Sequence, residues 1–153
     1  MIKINIIAVG KLKEKYWQEA CKEYLKRMPR YFAMEITEVP DYTDRGSEDA
    51  LTQLEAPAIL SKIKGKLVLL DKEGEGISSE RLAEFIQEEA NKGISELSFV
   101  IGGSRGVSSE VKSKASKIIS FGKITFPHQL MRVVLLEQIY RAGTIMKREN
   151  YHK

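Results

Sequence analysis

The period of the apolar positions changes within the first thirty residues. Lys3-Ile4-Asn5-Ile6-Ile7-Ala8-Val9 is a short β-branched run ended by Gly10, and it predicts a strand. Tyr16, Trp17, Ala20, Cys21, Tyr24, Leu25 and Met28 then recur at helical spacing, with Lys13, Glu19, Lys22, Glu23 and Lys26 on the other side. Pro29 stops that helix. Trp17 and Cys21 lie on the apolar stripe, so both read as core.

The alternation continues to the end of the chain. Strands are expected at Met34–Val39, Lys66–Leu70, Leu97–Ile101 and near Ile118–Phe121. Helices are expected from Glu48 to Ile63, where Pro57 kinks the helix or starts it afresh, and from Ser78 or Ser79 to Asn91. A shorter helix follows Ser108 or Ser109, and Pro127 opens a last one reaching about Lys147. Pro40–Ser47 is a polar loop. No linker divides the chain, so residues 1–153 read as a single α/β domain with a mostly parallel sheet flanked by helices. In such sheets ligands collect beyond the carboxyl ends of the strands.

Composition narrows the class. The chain has 153 residues, 42% hydrophobic and 30% charged, with no apolar run long enough to span a membrane. One cysteine and two distant histidines provide neither a disulfide framework nor metal-ligand spacing. A cytoplasmic, metal-free protein is the expectation. The net charge of +4 is unevenly spread: residues 1–30 and 100–153 are basic and the middle is acidic. Basic ends fit a polyanionic partner, or simply charges that mix on the folded surface.

Three segments sit where a strand-end site belongs: Asp71–Gly76, Gly102-Gly103-Ser104-Arg105-Gly106, and Gly122–His128. Paired glycines let backbone pass close to a ligand. The turn is neither a Walker A loop nor a dinucleotide fingerprint, and a plain strand-to-helix turn has the same composition. The last helix is apolar nearly all round from Leu130 to Leu136, broken only by Arg132. That points to a second subunit against its outer side. Glu137 and Arg141 have the spacing of an ion pair. His128 falls in a helix first turn, where anions are favoured, and His152 is penultimate.

Taken together, these segments resemble the RlmH family of SPOUT-class ribosomal RNA methyltransferases. The resemblance is carried by Ala8-Val9-Gly10-Lys11, Ile101–Gly106, Thr125–Val133, Glu137–Ala142 and Tyr151-His152-Lys153, and it extends over the whole chain. It implies a SPOUT-type fold with a C-terminal trefoil knot, a homodimer, and an active site at the subunit junction. It also implies S-adenosylmethionine as cofactor, held by Leu70, Gly102 and the loop Phe121, Gly122, Lys123, Ile124, Thr125 and Phe126, with Gly103 and Gly106 shaping the turn. The implied substrate is N3 of a pseudouridine in 23S rRNA of the assembled ribosome.

N3 of pseudouridine lies between two carbonyls and must lose a proton before it attacks. The enzyme therefore has to align the base and stabilise charge on the imide oxygens. His128, Arg132, Arg141, Tyr151 and His152 are the catalytic candidates. Two rival readings stay open: a nucleotide-binding α/β enzyme using the Gly102–Gly106 turn, and a non-catalytic ribosome-binding factor using the basic ends.

Overall fold

The computed structural model describes residues 1–42 and 51–153. The strands are β1 (Lys3–Val9), β2 (Ala33–Val39), β3 (Lys66–Gly76), β4 (Glu96–Ile101) and β5 (Lys117–Ser120). The α-helices are α1 (Lys15–Arg27), α2 (Ala56–Leu60), α3 (Ser79–Asn91), α4 (Ser109–Lys114) and α5 (His128–Met146). All strand pairs are parallel, in the order β2-β1-β4-β3-β5.

Side-chain alternation along the strands sorts the core into two layers. Ile4, Ile6, Val68, Leu97, Phe99 and Ile101 face α1, α3 and α5, whose Cys21, Leu82, Ile86, Leu135 and Ile139 fill that side. Ile7, Val9, Leu67, Leu69 and Val100 face α2 and α4 through Ala56, Ile59 and Val111. Truncating one of these fully buried leucines to alanine costs about 2–5 kcal/mol. Ser78 and Ser108 cap α3 and α4 by accepting from the amides of Arg81 and Val111, at 3.0 and 3.4 Å.

Several expectations need correction. β3 does not end at Leu70 but continues through Asp71–Gly76 after a register shift, because β5 supplies pairing for Glu75 and Gly76. The helix expected from Glu48 falls partly outside the described residues, as does most of the Pro40–Ser47 loop. Its described part is a π-turn over Leu51–Glu55 followed by α2, with Pro57 in the first turn. Tyr16 is on the apolar stripe of α1 yet is 60% exposed, and Trp17 is only half-buried.

The sheet order determines where the loops diverge. After β1 the chain turns toward β2 at one edge, and after β4 it turns toward β5 at the other. The ends of β4 and β5 and the Leu70–Glu73 stretch of β3 border an open cleft beside this switch point.

Candidate active site

A cleft of about 760 Å³ lies over the carboxyl ends of β4 and β5 and the Leu70–Glu73 stretch of β3, within the size range of small-ligand sites. Leu70, Gly102, Gly103, Gly106, Phe121, Gly122, Ile124, Thr125 and Phe126 line it. These are the residues expected from the sequence, except that Lys123 is exposed on the same loop and forms no part of the wall.

Local backbone geometry explains why the walls have this composition. Gly106 donates its amide to the Gly103 carbonyl at 3.0 Å, and the two pair as an isolated antiparallel bridge, folding the turn onto itself. A Cβ on Gly102 would stand 2.9 Å from the Gly106 carbonyl group and from a Val107 methyl. Glycine at 102 is thus required by closure of the turn, before any ligand is considered. Gly122 takes φ +118°, which L side chains rarely adopt, and lets the chain leave β5 sharply. Ser120 fastens this bend: its hydroxyl accepts from the Gly122 amide at 3.1 Å and donates to the Gly122 carbonyl at 3.0 Å.

Sequence reasoning missed part of the lining. Ile101, Ile119 and Met131 add apolar wall, and Asp71, Glu73, Arg105 and Lys112 add charge. Lys112 stands 3.5 Å from Asp71, whose other oxygen accepts from the Glu73 amide at 2.9 Å. Asp71–Glu73 and Arg105 lie in segments that the sequence already placed at strand ends, but they were not among the assigned site residues. Met131 was discernible as one helical turn beyond Pro127 and His128, both of which line the cleft.

The five catalytic candidates fall into three places. His128 is at the cleft, with its Nε2 3.4 Å from where a Cβ on Gly10 would lie. Arg132 is buried behind it and does not line the cleft. Its guanidinium donates to Glu38 Oε2 at 2.7 Å and to the Gly10 carbonyl at 3.2 Å. It therefore ties α5 to the ends of β1 and β2. Arg141, on the later half of α5 and about 20 Å from His128 at 1.5 Å of rise per residue, gathers Tyr151 and His152 from beyond the helix into a separate cluster.

In that cluster Arg141 makes a bidentate pair with Glu137 Oε1, at 3.0 Å through Nε and 2.7 Å through Nη2. The Tyr151 hydroxyl donates to the same oxygen at 3.1 Å, and its ring lies 4.7 Å from the Arg141 guanidinium carbon. His152 bridges the Arg141 guanidinium at 3.2 Å and Glu80 at 2.6 Å. Burial, then the Glu137 carboxylate, raises the Tyr151 phenol above its ordinary pKa. The bond to His152 holds the Glu80 carboxyl below its own.

Among the described residues no group of three or more His, Cys, Asp or Glu side chains is placed to hold a metal. No described helix is long and apolar enough to cross a membrane.

The chain and its fold have counterparts among known proteins. A family model described as "Predicted SPOUT methyltransferase" matches residues 2–152. Two curated relatives from Clostridium perfringens strains, named ribosomal RNA large subunit methyltransferase H 1 and ribosomal RNA large subunit methyltransferase H, are each 48% identical over 157 residues. Each alignment covers 98% of this chain and 99% of the relative. Among solved structures, a probable methylase family protein from Haemophilus influenzae superposes with a TM-score of 0.60 at 11% identity, covering 100% of this chain and 72% of that one. A probable methyltransferase from Bordetella pertussis gives 0.59 at 11% identity, covering 92% and 94%. At that identity the structures speak for the fold alone. The chain belongs to the SPOUT methyltransferase family, in its RlmH branch.

Proposed function

We propose that this protein is a cytoplasmic, S-adenosylmethionine-dependent methyltransferase that acts as a homodimer on N3 of a pseudouridine in 23S rRNA of the assembled ribosome. The observation that carries the reading is the cleft itself: about 760 Å³, walled by Leu70, Ile101, Ile119, Phe126 and Met131 and edged by two backbone turns. Apolar walls suit a flat adenine, and the glycines of the closed Gly102–Gly106 turn let its backbone approach the ligand. The fit to an adenosyl cofactor is therefore good. When bound, the cofactor supplies a methyl group already activated by its sulfonium charge.

The chain's own residues then have two tasks. Gly102, Gly103, Gly106 and the Phe121–Phe126 loop hold and orient the cofactor, and Arg132 fixes α5 so that His128 stays at the rim. The base must be aligned, relieved of its N3 proton, and have the resulting charge on its imide oxygens matched by donors. His128 stands at the cleft for this, while Arg141, which gathers Tyr151 and His152, stands about 20 Å away along α5 in one chain. Two copies related by a two-fold axis offer a way to unite them, the tail of one copy lying over the cleft of the other. Leu130 and Val134, half-buried and outside the apolar core of their own chain, supply the face for that contact.

Mass spectrometry of 23S rRNA from cells with and without the protein tests the whole reading. The expected result is one methylated pseudouridine that disappears on deletion and returns with the gene. Stabilisation of the purified protein by ATP but not by S-adenosylmethionine, with unchanged rRNA, would replace it with a nucleotide-binding enzyme. Naked 23S rRNA is expected to be a much poorer substrate than ribosomes, since a 17.4 kDa domain has little surface for reading isolated RNA.

A further inference from the structure

The first turn of α1 carries an aromatic pair that neither the core nor the cleft uses. Tyr16 and Trp17 meet edge-to-face with ring centroids 5.0 Å apart, and Tyr16 is 60% exposed. Lys11, Lys13 and Lys15 flank them along the chain, all exposed and without an ion pair among the described residues. Glu14 and Glu19 are the nearby acids on this element, so the patch keeps a positive balance.

The patch is rigidly mounted beside the cleft. Gln18 donates to the Leu12 carbonyl at 2.6 Å, fastening the start of α1 to the loop after β1. The Leu12 amide donates to Glu38 Oε2 at 3.3 Å, the same oxygen that receives Arg132. Arg132 in turn holds the Gly10 carbonyl, and Gly10 lies under His128 at the cleft rim.

We infer that Tyr16, Trp17 and the three lysines form a stacking platform for unpaired nucleotides that flank the target base. The inference rests on the proposed action on RNA and adds where the substrate strand lies. Exposed rings stack with any base, and neighbouring lysines follow the phosphates. This pairing of chemistries is what single-stranded nucleic acid requires. An apolar protein partner would leave the three lysines desolvated without counter-charges, so charge complementarity favours RNA.

Trp17 is the chain's sole tryptophan and so reports on its own surface. The full-length protein is titrated with a short oligouridylate, and separately with inorganic polyphosphate, while its fluorescence is followed. Saturable quenching by the oligonucleotide, and none by polyphosphate, is the expected result. Tyr16→Ala should weaken oligonucleotide binding about tenfold, in line with the loss of one stacking partner. Replacing Lys13 and Lys15 by alanine should lower the slope of log affinity against log salt by about 1.4.

Both variants should bind S-adenosylmethionine as the wild type does by calorimetry, which separates this inference from the cofactor assignment. Equal quenching by polyphosphate, or no quenching by oligouridylate, overturns the platform. So does a change in Trp17 emission on simple dilution of the protein, since that places a second copy over the patch. If rRNA methylation is absent but oligouridylate quenches as expected, the platform stands and the assigned reaction fails.

Discussion

At its first turn α5 meets a site made of backbone, and past its middle it meets a network of side chains. The cleft near His128 is shaped by turns closed through main-chain bonds, such as Gly106 to Gly103. That shape is fixed when the chain folds, so a ligand arriving there meets a preorganised wall. The cluster of Glu80, Glu137, Arg141, Tyr151 and His152 is held instead by ion pairs and hydrogen bonds between side chains, some part-buried and some exposed. Exposed pairs such as His152–Glu80 are individually worth about 0–1 kcal/mol, so the tail can exchange such a partner for another at little cost. One region suits a permanent cofactor seat, and the other suits an element that orders around a substrate.

The largest effect is expected where the backbone is challenged. Gly102→Val places a branched side chain against the Gly106 carbonyl and opens the turn. Calorimetry should show no measurable S-adenosylmethionine binding, a loss of a hundredfold or more, while circular dichroism remains that of a folded α/β domain. Unchanged affinity in a folded variant would remove the turn from the cofactor site. Deleting Tyr151–Lys153 challenges the other region. Cofactor affinity should stay nearly intact while methyl transfer to ribosomes falls about a hundredfold, the scale of lost positioning or acid–base help. A truncated enzyme working at the wild-type rate would make the tail cluster merely structural.

Whether the two regions cooperate within one chain or across two is decided by mixing. Leu135 is no place to charge the helix, because it is fully buried in its own core and Leu135→Glu would unfold the chain. Val134 is half-buried and outside that core, so Val134→Glu should give folded, inactive monomers by light scattering. Gly102→Val chains co-refolded with tail-deleted chains should recover about a quarter of wild-type activity, because half the dimers are mixed and each has one complete site. No recovery would place tail and cleft of the same chain together. A stable wild-type monomer with full activity would end the dimer reading.

Much of the frame was legible because apolar spacing is set by which face is buried. Lys3–Val9 and the Leu82, Phe85 and Ile86 stripe were read correctly on that basis. The cleft glycines were legible too, since their positions after predicted strands are a local property of the chain. What escaped depends on partners distant in sequence. Asp71–Gly76 carries no apolar alternation, and only pairing with β5 keeps it extended. Tyr16 has the right spacing for core, but periodicity names a face and not how much of it is covered. The Arg132–Glu38 pair joins residues 94 positions apart, and no local pattern announces it.

The smallest effect contrasts the acids of the two regions. Near the tail, Glu80 has a partner in His152 and its carboxyl is held below the ordinary value. Its contribution to stability is present above the unfolded pKa of 4.5 and is lost as pH falls through the lower folded value. Just before α2, Glu55 is 1% exposed, and among the described residues neither carboxylate oxygen has a hydrogen-bond partner. Burial, followed by the nearby charge of Asp41, pushes it up from 4.5 to about 7. The sign is therefore opposite: between those values the folded chain keeps a proton that the unfolded chain releases. Stability tied to Glu55 is complete below the unfolded pKa and is lost as pH rises to about 7, with an upper bound on the order of 3 kcal/mol. Glu55→Gln removes the titration but leaves a buried amide still short of partners, which itself costs about 1–3 kcal/mol. Urea unfolding should then find the variant more stable than the wild type at pH 8, by on the order of 1 kcal/mol, and no more stable at pH 4.5. If the two stability curves run parallel across that interval, Glu55 keeps its charge in the fold, and the contrast with Glu80 disappears.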